Sequence, residues 1–156
     1  MTTNKFQPAG KSKLIKGSVL NPESSGLCFV LNMVNMAGKV DGEQYKTFDK
    51  KWPKVKVEVK GQWANKTGFY KLGTVDTVAV QSDVWVVNML CQDDKLQTDI
   101  KAVENCLKKV CDMAKFERAS VHVPVLLTKT IPELVDLSKK YLLENGVNVY
   151  FYEGDK

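Results

Sequence analysis

Two apolar runs constrain the fold of this chain more than any other feature of its sequence. The first is Gly26 to Val34, which reads GLCFVLNMV, and the second extends from Ala119 to Leu127. Neither run alternates polar and apolar residues, so each is typical of a strand that is buried on both faces. Such strands lie in the middle of a sheet with helices above and below it. The sequence therefore predicts a three-layer α/β/α fold with both runs central.

Helical spacing is clearest between Glu43 and Lys51, where the first helix is expected. Tyr45, Phe48 and Trp52 fall at positions i, i+3 and i+7, on one side of a helix, and Pro53 then ends it. A second helix is predicted over Asp99 to Lys115 from one apolar stripe: Ile100, Val103, Leu107, Val110, Cys111 and Ala114.

The last helix is predicted to open at Pro132, because a proline costs nothing in the first turn, and to end at Asn145 and Gly146. Before it, Thr74 to Val80 and Val84 to Leu90 are β-branched runs separated by three polar residues, which indicates a hairpin.

Three shorter segments complete the expected sheet of six or seven strands. Lys13 to Leu20 and Val147 to Tyr152 have strand patterns at the two ends of the chain. Val55 to Val59 alternates valine with charged residues, which favours a strand, although a helical stretch is the alternative. Because strands and helices alternate and one hairpin interrupts them, the central sheet should be mixed.

Length and composition favour one domain without a membrane anchor. The chain has 156 residues, and we expect a flexible arm over residues 1–12 followed by a single domain over 13–156. No apolar run reaches the roughly 18 residues that span a bilayer, and the first residues lack the apolar core of a signal peptide. The sequence thus predicts a cytoplasmic protein with no membrane partner. Its net charge of +5 is mostly lysine, a pattern that usually serves solubility, so a nucleic-acid partner is not expected.

Cysteine and histidine usage gives no sign of a metal site or a cofactor. The four cysteines have apolar neighbours, and without an export signal they are expected to be buried thiols. There is no CxxC pair, and His122 is the single histidine. His122 lies between two valines of a predicted strand, where a structural role outweighs a catalytic one.

A family resemblance emerges between Asn35 and Pro53. This segment reads NMAGKVDGEQYKTFDKKWP, and it resembles the macro-domain segment N-C-x-G-x-M-G-x-G-I-A-x-x-F-x-x-x-F-P. The residues in register are Asn35, Gly38, Phe48, Trp52 and Pro53.

Two further blocks extend this likeness over about Lys13 to Tyr152. The segment from Lys71 to Gln92 resembles the family stretch in which LG and a strand precede an aromatic-rich strand ending in N-M-x-x-Q. Ser120 to Pro124 resembles the strand that leads to the second phosphate loop. The chain is most similar to the subgroup of ADP-ribose 1''-phosphate phosphatases and ADP-ribosyl-glutamate hydrolases, which implies a phage or microbial source.

The resemblance implies an ADP-ribose ligand, but the ligand loops are degenerate. Ser18 occupies the position where the family has an aspartate that accepts a hydrogen bond from adenine. Asp41 and Glu43 replace two glycines of the first phosphate loop. Two carboxylates near a pyrophosphate would repel it by a few kcal/mol. The alternative is that they cap and charge the N-terminus of the following helix.

The second loop has lost all its glycines. The chain runs from Val125 to Pro132 without one, and Thr128 and Lys129 are the polar residues of this segment expected to meet an anion. An ordinary exposed lysine is the alternative reading of Lys129. The hydrolases also use a lysine near the position of Gln81 and an aspartate in this loop, and both are missing, so no catalytic residue is assigned.

Three functions remain open from the sequence. The first is a module that binds ADP-ribose or a related nucleotide derivative with little or no catalysis, and it is the one we favour. The second is a phosphatase or hydrolase of the same group that uses non-standard residues. The third is a pseudo-macro domain that binds another protein or a copy of itself. The expected ligand-binding residues are Ser18, Asn35, Gly38, Asp41, Gly42, Thr128 and Lys129, with no metal and no cofactor.

Overall fold

A mixed sheet of six strands forms the middle layer of the computed structural model, which describes residues 9–65 and 70–154. The strand order is β1-β6-β5-β2-β4-β3, and every neighbouring pair is parallel except β3 and β4. The strands are β1 (Ser12–Ile15), β2 (Cys28–Asn35), β3 (Val75–Gln81), β4 (Val84–Gln92), β5 (Ser120–Val123) and β6 (Val149–Tyr152). The predicted mixed α/β sheet and its hairpin are confirmed.

Helices cover both faces of the sheet. They are α1 (Glu43–Asp49), α2 (Lys54–Asn65), α3 (Ile100–Glu117), α4 (Val125–Thr130) and α5 (Leu134–Tyr141). Side chains of α1 and α2 share one buried cluster with Val30 of β2, whereas side chains of α3, α4 and α5 share the other cluster with Phe29 and Leu31. Alternate residues of β2 therefore point into two separate cores, and the strand is buried on both faces as its apolar run predicts.

The prediction of a strand over Val55 to Val59 is wrong, because this segment lies in helix α2. Val55 and Val59 are buried while Val57 is 68% exposed. A strand would place all three valines on one face, whereas a helix places residues four apart together and turns the middle one outward. Packing against the sheet thus decides between two periods that both fit the sequence.

The second apolar run also divides differently from the prediction. Strand β5 ends at Val123, and helix α4 begins at Val125. Pro124 lies between them with a φ of −66°, and since proline lacks an N–H it cannot continue the sheet ladder. Leu127, expected in the strand, instead reaches the core from α4. Strands β2 and β5 are nevertheless the two central strands, as predicted.

The first and last strands, β1 and β6, pair at one edge of the sheet. Strand β1 is shorter than the predicted Lys13 to Leu20, and it pairs with β6 so that Ser12 lies opposite Val149. Most of the expected N-terminal arm, residues 1–8, lies outside the described residues. Residue Gly10 donates from its backbone N–H to the carbonyl of Leu143, at 2.6 Å.

The predicted state of the cysteines is confirmed, since all four are buried and free. Among the described residues, no helix is both long enough and apolar enough to span a membrane.

Candidate functional site

A cavity of about 370 Å³ lies at the carboxyl ends of β2 and β4. Asn35 and Gln92 end these strands and are opposite each other in the sheet register. The start of α1 forms one side of the cavity and α4 forms the other. Its lining consists of Met33, Asn35, Lys39, Asp41, Gly42, Glu43, Gln44, Tyr45, Gln92, Leu96, Leu126, Leu127 and Thr130. The carboxyl edge of the central strands is the place where α/β sheets of this kind bind ligands.

The Asn35 side chain organises the loop that follows β2. Its Oδ1 accepts hydrogen bonds from the backbone N–H groups of Ala37 at 3.1 Å and Lys39 at 3.0 Å, and its Nδ2 donates to the Lys39 carbonyl at 3.1 Å. The Tyr70 hydroxyl donates to the Asn35 carbonyl at 2.6 Å. Asn35 thus fixes the loop at one wall of the cavity, and most of its own hydrogen-bonding capacity is used in doing so.

Gly38 serves the shape of this loop and lies outside the cavity lining. Its φ of +72° is in the left-handed region, and a Cβ atom added there would overlap the indole ring of Trp63, 2.5 Å from Cγ. The Trp63 ring is held in place because its Nε1 donates to the carbonyl of Met36 at 3.1 Å. Only glycine meets both requirements at this position.

Charged side chains stand at the rim of the cavity. Asp41 and Glu43 are both exposed, and Glu43 lies 3.7 Å from Lys46 in a solvated ion pair. Gly42 occupies the N-cap position of α1, and no side chain caps this helix. Glu43 lies in the first turn, where a negative charge favours the helix dipole. The structure thus supports a charge role for Glu43 at the helix start, and neither carboxylate is a hydrogen-bonding cap.

Of the seven expected ligand-binding residues, the cavity brings together Asn35, Asp41 and Gly42. Ser18 lies beyond strand β1 and uses its Oγ to accept from the N–H of Leu20 at 3.0 Å. Thr128 and Lys129 lie in helix α4 rather than in the expected loop. The Thr128 hydroxyl donates to the Val125 carbonyl at 2.8 Å, and Lys129 is exposed. A binding role stays a prediction for all seven residues, including the three that line the cavity.

A tight loop after β4 presents Leu96 to the cavity. The carboxylate of Asp93 accepts from the N–H groups of Lys95 at 2.8 Å and Gln97 at 2.9 Å. Leu96 between them has a φ of +65°, which is uncommon for a residue with a branched side chain. Its side chain is 43% exposed. The loop therefore holds an apolar group at the cavity in a conformation that costs backbone energy.

Comparison with known proteins addresses the fold. No protein-family model matches the chain, and a search of curated proteins gives no match. Solved structures do match: a macrodomain protein from Streptomyces coelicolor aligns over 92% of this chain and 99% of its own, with a TM-score of 0.84 and 23% identity. The macrodomain of Thermus aquaticus DarG aligns over 92% and 99%, with a TM-score of 0.71 and 19% identity. The chain has the macrodomain fold.

A third match with this fold carries a ligand. Thermosipho africanus DarTG in complex with ADP-ribose has a TM-score of 0.65 and 19% identity to this chain, over 82% of this chain and 38% of the DarTG chain. The macrodomain resemblance first drawn from Asn35 to Pro53 is confirmed at the level of the fold.

Within this macrodomain fold, sequence reasoning missed the floor of the cavity. Gln44 and Tyr45 line the cavity and are buried. Burial raises the pKa of the Tyr45 hydroxyl far above its usual range, with a smaller opposing effect from Asn32, so the hydroxyl stays neutral. One signal was available, since Gln44 and Tyr45 stand where the macro-domain pattern has isoleucine and alanine. Because both replacements carry polar groups where the pattern has apolar residues, they indicate that the cavity of this chain differs from the family pattern.

His122 lies in the central strand β5 of the macrodomain sheet and belongs to a buried polar network. The Tyr152 hydroxyl accepts from the N–H of Glu23 at 2.8 Å and lies 2.8 Å from His122 Nδ1, while His122 Nε2 lies 2.7 Å from Ser120 Oγ. Burial lowers the His122 pKa to about 4, so the ring is neutral. In a neutral ring one nitrogen donates and the other accepts, so His122 bridges the hydroxyls of Tyr152 and Ser120 inside the protein.

A second cavity, of about 380 Å³, lies beside this network, and its polar lining includes Ser24, Lys115, Arg118, Ser120 and Asn148. The described residues contain no group of three or more His, Cys, Asp or Glu side chains that could hold a metal ion.

Proposed function

We propose that this chain is a macrodomain-type module that binds ADP-ribose or a related nucleotide derivative in the cavity beside Asn35, with little or no catalysis. The observation that carries the proposal is the position of this cavity at the carboxyl edge of the central strands in a macrodomain fold. Its volume of about 370 Å³ falls in the range of small-molecule sites. Support also comes from the similar DarTG structure, which is a complex with ADP-ribose.

The cavity lining suits a ligand with an apolar ring face and polar edges. Met33, Leu96, Leu126 and Leu127 supply apolar surface, and the strand ends and α1 supply amide groups. Ligand sites commonly combine mostly apolar walls with a few polar groups that set orientation. This composition favours a nucleoside over a bare inorganic anion.

Cavity occupancy can be tested with a blocking variant. Gly42 lines the cavity, and a Cβ atom there would meet no other atom within 4 Å, at an ordinary φ of −78°. Gly42→Trp should therefore fold and fill the mouth of the cavity. The matched control is Gly61→Trp, since Gly61 is equally unobstructed but lies in helix α2. Titration calorimetry should show ADP-ribose binding to the wild type and to Gly61→Trp, with at least a tenfold loss in Gly42→Trp. Equal binding to all three would contradict the proposal.

The rim charges should weaken the binding of a diphosphate. Asp41 and Glu43 are negative and exposed, so their effect is partly screened by solvent. Replacing both by glycine should raise the affinity for ADP-ribose severalfold at low salt and less at high salt. An unchanged affinity at both salt concentrations would show that the diphosphate does not approach this rim.

Low catalytic activity is expected from the groups around the cavity. Its described lining contains no cysteine or histidine, and its one tyrosine has a raised pKa and stays neutral. Positioned acids, bases and oxyanion donors commonly supply factors of about a hundred or more each. Phosphate release from ADP-ribose 1''-phosphate and hydrolysis of ADP-ribosyl-glutamate should both be very slow. Turnover of about 1 per second or faster, abolished by Asp41→Ala, would instead favour the enzyme.

The setting of the protein is part of the proposal. Four free, buried cysteines support a reducing environment such as the cytoplasm. A phage or microbial source and a small-molecule partner follow from the resemblance. If the wild type binds no ADP-ribose derivative, the proposal fails and a protein partner becomes the better hypothesis.

A further inference from the structure

Most of the unpartnered buried polar atoms belong to two residues that line the cavity, Gln44 and Tyr45. Among the described residues, five buried side-chain nitrogen or oxygen atoms have no hydrogen-bond partner. Four of them belong to Asn32, Gln44 and Tyr45, and the fifth is the hydroxyl of Ser138 in helix α5. Since folded proteins pair nearly all buried polar groups, such a concentration at one cavity needs an explanation.

Gln44 is the strongest case in this group. Only 7% of the residue is exposed, it lines the cavity, and neither Oε1 nor Nε2 has a partner among the described residues. An unpaired amide in this position lowers the stability of the fold. Leucine or methionine would fill the same space without that cost, so the amide at the cavity needs a role beyond packing.

The groups next to Gln44 are also neutral and polar. Asn32 Nδ2 donates to Asn88 Oδ1 at 2.8 Å, which leaves Asn32 Oδ1 without a partner. Tyr45 lines the cavity, and its buried hydroxyl, which interacts with the Asn32 side chain, remains protonated. Gln44 therefore has neutral polar neighbours, while the rim carries Lys39, Asp41 and Glu43, with a net charge of −1.

We infer that Gln44 determines ligand specificity by recognising an uncharged edge on which a hydrogen-bond donor and an acceptor lie side by side. A glutamine amide has this donor and acceptor pair in one plane, and it matches the edge of adenine or of a carboxamide. Because both amide atoms are covered, the Gln44 side chain must turn towards the cavity when the ligand enters. The inference rests on the proposed function and names the part of the ligand that the chain reads.

Adenine and a carboxamide both present such an edge, and a set of ligands distinguishes between them. NMR titrations of the wild type would use ADP-ribose, adenosine, nicotinamide riboside and purine riboside. Purine riboside has the adenosine ring system without the amino donor. We expect adenosine or nicotinamide riboside to bind at least tenfold more tightly than purine riboside, and whichever binds identifies the source. Equal binding of adenosine, nicotinamide riboside and purine riboside would overturn the inference.

The protein arms use Gln44→Leu, Gln44→Glu and the control Ser138→Ala. Gln44→Leu should lower the affinity for whichever of adenosine and nicotinamide riboside the wild type prefers at least tenfold, while its Tm stays equal or rises, because an unpaired amide is removed. Gln44→Glu keeps the shape of the side chain but removes the amide donor. Its affinity for the same nucleoside should also fall at least tenfold. Ser138→Ala removes the unpaired hydroxyl that lies away from the cavity, and it should bind like the wild type.

The possible failures can be told apart. If the wild type binds ADP-ribose, and both Gln44 variants bind the preferred nucleoside as tightly as the wild type does, the inference is overturned and the proposed function stands. A large fall in the Tm of Gln44→Leu would show that the amide has a structural partner, which also overturns the inference. If the wild type binds no probe, both the inference and the proposed function are overturned.

Discussion

Gly38→Ala is expected to destabilise the fold strongly, through two separate effects. The residue has a φ of +72°, and an L-residue in the left-handed region costs about 1 to 2 kcal/mol. The new Cβ atom would overlap the Trp63 ring, and relief of such overpacking typically costs about 1 to 3 kcal/mol. The free energy of unfolding should therefore fall by about 2 to 5 kcal/mol. For a chain of this size, that corresponds to a decrease in Tm of roughly 4 to 20 °C.

The same substitution elsewhere in the chain should have the opposite sign. Gly61 is exposed in helix α2, and a Cβ atom there would meet nothing within 4 Å. Gly61→Ala should stabilise the protein by about 0.5 to 1 kcal/mol, because alanine favours the helix. Urea denaturation followed by circular dichroism measures both variants. The reasoning is refuted if Gly38→Ala lies within about 0.5 kcal/mol of the wild type.

A double-mutant cycle separates the two effects at Gly38. In a Trp63→Leu background the overlap is relieved, whereas the backbone strain remains. Gly38→Ala should then cost about 1 to 3 kcal/mol less than in the wild-type background. An unchanged cost would show that contact with the indole ring contributes nothing.

Three further predictions concern groups away from the cavity. Asp99 Oδ1 accepts from the Ala102 N–H at 3.0 Å and caps α3, so Asp99→Ala should lower the unfolding free energy by about 1 kcal/mol, while Asp99→Ser should not. His122 has its pKa lowered from 6.5 to about 4, so the unfolded chain takes up the proton first as the pH falls. The free energy of unfolding should fall by about 2 kcal/mol between pH 8 and pH 5. In urea titrations, His122→Gln should weaken this dependence on pH. Burial raises the pKa of the Cys91 thiol, and that of Cys106 to about 12, so a thiol reagent should label them only after urea is added. Fast labelling of the native protein would contradict their burial.

The fold was predictable where the spacing of apolar residues and the length of the segment indicated the same type of element. Strand β2 combines an apolar run with a length typical of strands, and α3 shows one long apolar stripe that begins at its Asp99 cap. Helix α2 was not predictable in this way, because alternating valine and charged residues fit both a strand and a helix. Packing of Val55 and Val59 against the sheet resolves that ambiguity, and such long-range contacts are not visible in a local pattern.

The candidate site was only partly predictable for a related reason. Asn35, Asp41 and Gly42 could be placed because the carboxyl ends of parallel strands meet at one edge of a sheet. Gln44 and Leu126 could not be placed, since the cavity between them depends on how α1 and α4 pack on opposite sides of it. Pro124 ends strand β5 at Val123, and this end was visible in the sequence because proline lacks the N–H that the sheet needs.

A crystal structure of this chain grown with ADP-ribose tests the central claim most directly. We predict ligand density between the Asn35 loop and helix α4, with a polar edge of the ligand within hydrogen-bonding distance of the Gln44 side chain. Density in the second cavity beside Arg118 and Ser120, or an empty first cavity at saturating ligand, would contradict the claim.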